Sequence, residues 1–180
     1  MLDPILVQIG PFAIHLYGVM YMLSFLGLLA YLHYSKTARA WRLTQAQKDG
    51  LWIGAFLGVV LGGRLGYVLF YNLNYFLQNP LKIPAIWEGG MSFHGGLLGV
   101  IIAIAIWAKR TRHSLLQTSD WLVLLAPWAL MLGRFGNFIN GELYGRISES
   151  GKFCFNFATD PLNCRYPSQL FEAVGEGPLL

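Results

Sequence analysis

An all-α, polytopic membrane protein is the fold class that this sequence predicts. Of its 180 residues, 55% are hydrophobic and 12% are charged, whereas soluble domains carry about 25% charged residues. Its apolar segments approach the ~20 residues that a helix needs to cross a bilayer. Backbone groups in lipid must be hydrogen-bonded internally, and the alternating pattern of a membrane barrel is absent. We therefore expect a bundle of membrane helices.

Four complete spans and the start of a fifth are predicted from the apolar segments. Pro127 is expected to kink the fourth span. The fifth would begin at Val174, and the seven residues from there to Leu180 cannot cross a bilayer. A C-terminal truncation is therefore expected, and residues 1–180 are treated as a single membrane domain. The complete spans are Ile14–Tyr34, Leu51–Tyr71, Met91–Ala108 and Trp121–Ile139.

The charges of the loops predict the orientation of the chain. Ser35–Asp49 and Lys109–His113 are rich in Lys and Arg, which is typical of short cytoplasmic loops. Asn72–Gly90 carries only one Lys and one Glu, and Asn140–Glu172 is polar, so both are predicted to be external. The N-terminus, which lacks the basic region of a signal peptide, then lies outside. This topology accounts for most of the net charge of +4. We therefore expect the protein to associate with the membrane and not with nucleic acid.

Polar side chains from four different spans are predicted to lie on the outer side of the membrane. Ionisable groups are costly at that depth and usually mark a functional site. Their convergence from separate helices indicates an active site without reference to any known protein. These residues are Tyr17, Arg64, His94, Arg134, Asn137 and Glu142.

Each of these residues also has a structural interpretation. Tyr17 could belong to an interfacial aromatic belt, and Arg64 could extend to the lipid headgroups. A lone His at a helix start, such as His94, is more often structural than catalytic. Glu142 could pair with Arg146 four residues later. The cluster of Arg, two Asn and Glu within nine residues at 134–142 is harder to explain structurally, and it favours a function.

Small residues recur every fourth position in the second span. This pattern is typical of helices that pack with their backbones close together. We expect a structural role for all of them, and Arg64 would point roughly away from this row. The residues are Gly54, Gly58, Gly62 and Gly66.

Two cysteines, Cys154 and Cys164, lie in the predicted external segment. They could form a disulfide in an oxidising compartment, and the sequence leaves the choice open. No CxxC or HExxH spacing, phosphate-binding loop or Ser–His–Asp arrangement is present. We expect no metal and no cofactor.

The sequence GRFGNFINGELYGR at Gly133–Arg146 resembles the signature of the prolipoprotein diacylglyceryl transferase family. Further motifs in the same order along the chain support the resemblance. They are HLYGVMY at His15–Tyr21, RLGYVLFYN at Arg64–Asn72, HGGLLG at His94–Gly99 and RYPSQLFEA at Arg165–Ala173.

The resemblance implies a seven-span bacterial inner-membrane enzyme with an outside N-terminus and an active site toward the periplasmic leaflet. Its substrates would be phosphatidylglycerol and the lipobox peptide of a preprolipoprotein. The diacylglyceryl group would move to the lipobox cysteine thiol, so that a thioether forms and glycerol phosphate leaves. Arginines near the phosphate would stabilise the growing negative charge, and a base would favour the thiolate.

The resemblance also implies roles for individual residues, which we carry over as expectations. The residues expected to be catalytic are His94, Tyr17 and Glu142, with His94 as the candidate base because an imidazole titrates near neutral pH. The residues expected to bind phosphatidylglycerol are Arg134, Asn137 and Gly145. Arg64 joins this expected set because of its position on the outer side of the second span.

One departure from the family concerns a further essential arginine in its later spans, which this chain does not contain. The resulting hypothesis is that the 180-residue chain binds lipid but does not turn it over. Two other classes of protein were weighed. A small transporter or channel predicts polar residues through the full membrane depth, and a non-catalytic assembly factor leaves the cluster at 134–146 unexplained.

Overall fold

The computed structural model describes residues 5–9 and 12–179. Most of them are helical, with two 3-10 turns at Pro80–Lys82 and Ile86–Glu88. The helices are α1 (Leu16–Tyr34), α2 (Lys36–Ala40), α3 (Gln45–Phe70), α4 (Leu73–Gln78), α5 (Phe93–Thr111), α6 (Leu115–Val123), α7 (Ala126–Asn140) and α8 (Ser168–Glu176). The strands are β1 (Ile5–Ile9), β2 (Phe12–His15), β3 (Phe155–Phe157) and β4 (Asp160–Arg165).

Three helices of the described chain, α1, α3 and α5, are long and apolar enough to cross a membrane. They correspond to the first three predicted spans, with shifted ends. The first helix starts at Leu16 because the residues before it pair as a strand. The second starts at Gln45, six residues earlier than predicted, because Thr44 and Gln47 form a capping box that satisfies the first backbone N–H groups.

The fourth predicted span is interrupted, and it counts as a membrane span only if α6 and α7 are taken together. The predicted kink is therefore confirmed as a complete break of the helix. Pro127 lies in the first turn of α7, where a missing backbone N–H is tolerated because that group would have no helical partner.

Two antiparallel strand pairs correct the all-α prediction. β1 pairs with β2, and β3 pairs with β4. Helix α8 gives a second correction, because a helix predicted to begin at Val174 begins at Ser168 and ends at Glu176. Asn140–Glu172 was predicted only as a polar external segment, and part of it is a β-hairpin and part is α8.

The hairpin of β3 and β4 is held by a disulfide and an aromatic cluster. Cys154 and Cys164 are bonded, which resolves the alternative left open by the sequence. Phe157 is fully buried, and its ring contacts Phe138 at the end of α7 and stacks on Tyr144. The hairpin is therefore fastened to the end of α7.

An ion pair adds to the hairpin. Arg165 bonds the Asp160 carboxylate and lies over the Tyr144 ring. The Arg165 guanidinium holds the pKa of the Asp160 carboxyl below its ordinary value, with a smaller effect from Asn163. Because that pKa is depressed, the pair stabilises the fold above the unfolded-state pKa, and its contribution is lost as the pH falls through the lower value.

The chain forms two compact units. Unit 1 comprises Met1–Ala30 and Val123–Leu180, and unit 2 comprises Tyr31–Leu122. Within unit 1, α1 lies against α7, since a Cβ placed on Gly27 would come within 2.6 Å of the Trp128 indole nitrogen. Helix α8 packs on α7 in the same unit.

Unit 2 is organised around α3 and α5, which pack closely through glycine. A Cβ on Gly58 would lie 2.6 Å from the Gly99 carbonyl oxygen, and one on Gly66 would lie 2.7 Å from the Gly95 Cα. Gly62 faces the same two glycines of α5. The predicted packing role is therefore confirmed for three of the four glycines, whereas a Cβ on Gly54 would meet nothing within 4 Å.

Candidate functional site

Tyr17 lies in the first turn of α1, against the last turns of α7. A Cβ on Gly136 would come within 2.5 Å of the Tyr17 ring, so glycine at this position permits the contact. The Tyr17 hydroxyl lies 3.3 Å from the Tyr21 hydroxyl. The side chains of Asn137 and Glu142 also lie near it, and Asn137 is buried. One tyrosine, one amide and one carboxylate therefore meet where α1 and α7 come together.

Arg134 is one turn before this point on α7, and two carboxylates of α8 hold it. Its Nε and Nη2 each donate to Glu176 at 2.9 Å, in a two-pronged arrangement. Its Nη1 lies 3.0 Å from a Glu172 carboxylate oxygen. A guanidinium has five N–H groups, so one on Nη1 and one on Nη2 are not used by these three contacts. The cluster of one arginine and two glutamates carries a net negative charge.

Glu142 follows the left-handed residue Gly141, which ends α7 with a φ of 67°. Its backbone N–H donates to the Asn137 carbonyl at 2.9 Å. Its carboxylate accepts a hydrogen bond from the Asn140 side chain at 3.2 Å, rather than the Arg146 contact suggested by the sequence. The backbone of Glu142 is thus fixed, while its carboxylate is exposed.

Gly145 lies where the chain after α7 meets the chain before α8. Its backbone N–H donates to the Tyr166 carbonyl at 2.9 Å, and a Cβ here would come within 3.0 Å of that oxygen. The structure thus gives a packing reason for glycine at this position. Its expected role in phosphatidylglycerol binding stays a prediction.

Three residues of this cluster were missed in the sequence. Gln169 is fully buried and donates from its side-chain nitrogen to the Glu142 carbonyl at 2.5 Å. Glu172 and Glu176 are the partners of Arg134. The sequence did contain an indication of the two glutamates. An arginine in an apolar segment needs a partner, and glutamates four residues apart share a helix face. From the sequence, Arg134 was predicted to bind a phosphate only.

Arg64, in unit 2, is buried on α3 at 4% exposure. Its guanidinium lies over the Phe76 ring, 5.1 Å from the centroid. Nε donates to the Ile83 carbonyl and Nη2 to the Lys82 carbonyl, each at a distance of 2.7 Å. Nη1 donates to the carbonyls of Gly89 and Gly90. All three guanidinium nitrogens are therefore bonded to the loop, and direct binding of phosphatidylglycerol by Arg64 stays a prediction.

His94 is the second residue of α5 in unit 2, and it is exposed. Its ring contacts that of Phe93, with 5.6 Å between centroids. The next two residues, Gly95 and Gly96, are buried, so the close helix contact starts immediately after His94. The helix start itself is capped by Ser92, whose hydroxyl accepts from the Gly95 N–H at 3.1 Å.

The predicted site residues are thus divided between the two units. Unit 1 brings together Tyr17, Arg134, Asn137 and Glu142, with Gly145 in the adjoining turn; Arg64 and His94 belong to unit 2. Among residues 5–9 and 12–179, no three His, Cys, Asp or Glu side chains are grouped so that they could hold a metal ion. The expectation that the protein needs no cofactor stays a prediction.

The helices and the unit 1 cluster define a class of protein, a helical protein with apolar helices and a partly buried polar site. Comparison with known proteins narrows this class. The family model for prolipoprotein diacylglyceryl transferase matches residues 4–180. The chain belongs to the prolipoprotein diacylglyceryl transferase family.

Similar proteins bear the name phosphatidylglycerol–prolipoprotein diacylglyceryl transferase. One from Acinetobacter baumannii (strain SDF) is 47% identical over 182 residues. Others from Rhodospirillum rubrum and Pasteurella multocida are each 47% identical over 180 residues. In each case the match covers 99% of this chain and 66% of the relative. The chain thus spans just under two thirds of the length of these relatives.

Proposed function

We propose that the protein to which this chain belongs transfers the diacylglyceryl group of phosphatidylglycerol to the cysteine thiol of a lipobox peptide. The observation that carries the proposal is the family match along residues 4–180. The names of the relatives give the lipid and the prolipoprotein as substrates. The polar cluster of unit 1 supports the proposal, because it supplies groups that such a reaction needs.

The reaction makes one bond and breaks one. The thiol sulfur bonds to the terminal glyceryl carbon of the diacylglyceryl group as the bond from that carbon to the phosphate oxygen breaks. The thiol proton goes to a base, and glycerol phosphate leaves with the electron pair. Negative charge therefore grows on the phosphate oxygens, and positively charged donors held there lower the barrier.

We assign the phosphate to the free edge of Arg134. The two unused N–H groups of the guanidinium are available to anionic oxygens, and Asn137 lies one turn further along α7 as an amide donor. Glu172 and Glu176 orient the guanidinium, and their negative charge limits how tightly a phosphate binds. Weak binding of the substrate is compatible with turnover, because only interactions that are stronger in the transition state than in the bound substrate increase the rate.

We propose which side chains take the proton from the lipobox cysteine thiol. A free cysteine has a pKa of about 8.5, so a base or a positive field is required at neutral pH. His94 is the proposed base in unit 2. In unit 1, we propose that the exposed Glu142 carboxylate and the Tyr17 hydroxyl are catalytic groups. Gly145 is retained as a proposed lipid-binding position.

We further propose that the protein lies in the bacterial inner membrane with its N-terminus and active site toward the periplasm. Two independent features support this orientation. The loops Ser35–Asp49 and Lys109–His113 carry the Lys and Arg typical of cytoplasmic loops. The Cys154–Cys164 disulfide belongs to an oxidising compartment, which in bacteria is the periplasm. We also propose that α6 and α7 form one span, which gives four candidate spans in the described residues. Residues 1–180 would then be a single membrane domain, and we expect no nucleic-acid partner.

A transfer assay tests the proposal. The protein is placed in phosphatidylglycerol vesicles with a lipobox peptide that has one cysteine, and the peptide mass is followed. The expected result is a gain of one diacylglyceryl group, which Arg134→Ala abolishes and His94→Gln slows with a shifted pH profile. Gly133→Ala is the control, since a Cβ there meets nothing within 4 Å. Undiminished transfer by Arg134→Ala would refute the role of that arginine.

Phosphatidylglycerol binding distinguishes the proposed phosphate position from a purely structural role of Arg134. If the phosphate binds at the free edge of the guanidinium, Glu176→Gln removes one negative charge nearby and the lipid should bind more tightly. Unchanged or weaker binding by Glu176→Gln, in a variant that remains folded, would place the phosphate elsewhere.

A further inference from the structure

We propose that Arg64 is a positioning residue, which folds the segment 79–92 against α3 and thereby fixes the start of α5, where His94 lies. The effect on the loop stands on the contacts of Arg64 alone. The effect on the reaction rests on the proposed function, because it requires His94 to act there.

Arg64 is poorly placed to bind a phosphate directly. It is 4% exposed, and all three guanidinium nitrogens donate to backbone carbonyls, in four hydrogen bonds. Within the described residues its guanidinium has no carboxylate partner among the ion pairs. A phosphate would have to displace these carbonyls, and the hydrogen bonds that Arg64 makes to them would be lost at a cost in free energy. Serving the loop is therefore the role that its contacts fit.

The carbonyls that Arg64 holds belong to two separate stretches of the segment. Lys82 ends its first 3-10 turn and Ile83 follows it, whereas Gly89 and Gly90 follow its second. The two glycines have φ values of 83° and 82°, a backbone conformation that glycine adopts readily. This conformation turns both carbonyls toward the one guanidinium. Arg64 thus joins the two turns to α3 at a single point.

The chain runs directly from this point to His94. Two residues after Gly90, the Ser92 N–H donates to the Gly63 carbonyl at 2.9 Å, next to Arg64 on α3. The Ser92 hydroxyl then caps α5 through the Gly95 N–H. His94 lies between this cap and the glycines that pack on α3. A loop released from Arg64 would loosen the segment that holds the first turn of α5.

Lysine cannot replace arginine in this role. A guanidinium presents donors in a rigid planar fork, whereas an ammonium is a single point charge on a flexible stem. Acceptors at Nε, Nη1 and Nη2 require the fork. A residue that only supplied positive charge to a phosphate would be replaced by lysine with a smaller loss. Arg64→Lys therefore distinguishes the two roles.

Hydrogen exchange tests the structural part on the 180-residue chain in lipid nanodiscs. We expect Arg64→Lys and Arg64→Ala to speed exchange of the amides in segment 79–92, including Ser92, by about tenfold or more, because charge-assisted bonds that fasten the segment are lost. Exchange in α7 should be unchanged. The control is Lys82→Ala, which removes the exposed Lys82–Glu88 pair of the same segment and should leave Ser92 unaffected. Unaltered exchange in Arg64→Lys would overturn the proposal.

The second measurement concerns His94 and the reaction. Carbethoxylation of His94 by diethyl pyrocarbonate should proceed at a changed rate in Arg64→Lys and at an unchanged rate in Lys82→Ala. In the transfer assay, Arg64→Lys should lower kcat by about tenfold and leave KM for phosphatidylglycerol within about twofold, the pattern of a lost transition-state interaction. A raised KM with kcat retained would instead make Arg64 a lipid ligand. If the unaltered protein transfers nothing, the proposed function fails, whereas the exchange and carbethoxylation results still decide the role of Arg64.

Discussion

Removing the Arg134 side chain should release α8 from α7. In the structure, Arg134 bonds Glu176 through two nitrogens and contacts Glu172 through a third. Arg134→Ala deletes all three contacts and leaves two carboxylates one helical turn apart without a counter-charge. Like charges at this spacing repel each other. The variant therefore loses an attraction and gains a repulsion at the same place.

The size of the effect follows from exposure. Hydrogen bonds to charged groups contribute about 1.5–3 kcal/mol each when buried, whereas exposed ion pairs contribute about 0–1 kcal/mol. The Arg134 and Glu176 side chains are 27% and 30% exposed, and Glu172 is 40% exposed. We therefore assign most of the energy to Glu176 and expect a total of about 2–4 kcal/mol. Glu176→Gln should cost more than Glu172→Gln, which loses one contact only.

Hydrogen exchange of the amides in α8 measures this energy directly. The expected loss corresponds to a roughly 30- to 1,000-fold fall in protection for Arg134→Ala, with α3 and α5 unaffected. Gly133→Ala serves as the neighbouring control, because its added Cβ meets open space. Unchanged protection in α8, or a larger effect from Glu172→Gln than from Glu176→Gln, would refute the reasoning.

Three further predictions concern other parts of the fold. Gly62→Leu should lower the melting temperature strongly because its side chain meets the backbone of α5, whereas Gly54→Leu should not; equal melting of the two variants would contradict the packing. Gln169→Leu leaves the Glu142 carbonyl without its donor and should cost about 1–3 kcal/mol in denaturant unfolding, a prediction that a neutral or stabilising result would defeat. Cys164→Ser opens the disulfide and should cost about 2–3 kcal/mol for so short a loop, visible as faster amide exchange in the hairpin; exchange at the original rate would show that the aromatic cluster suffices.

The membrane helices were the part of the fold that the sequence could predict. Apolar length alone identified α1, α3 and α5, because a bilayer imposes a length on any helix that crosses it. Their ends were less predictable, since they depend on local hydrogen bonds such as the Thr44–Gln47 capping box. The hairpin after α7 was not predicted. It is held together by a disulfide and by contacts between rings that are distant in the sequence, such as Phe157 and Phe138.

In the candidate site, the sequence likewise singled out individual residues but did not predict their contacts. The cost of polar groups in an apolar segment singled out Arg134, Asn137 and Tyr17, and the structure brings these three into one unit. The partners of Arg134 were not predicted, because pairing depends on how α8 packs on α7. Arg64 shows the reverse case, since its charge suggested a ligand while its neighbours proved to be backbone carbonyls.

We propose that the unit 1 cluster of Tyr17, Arg134, Asn137 and Glu142 receives the phosphatidylglycerol headgroup. Photocrosslinking tests this position, with a phosphatidylglycerol carrying a photoreactive group on its terminal glycerol and the protein in bilayers. We expect adducts on the first turn of α1 and on residues 134–142, and competition by unlabelled phosphatidylglycerol. Adducts confined to α3 and α5, or adducts that phosphatidylglycerol does not displace, would contradict it.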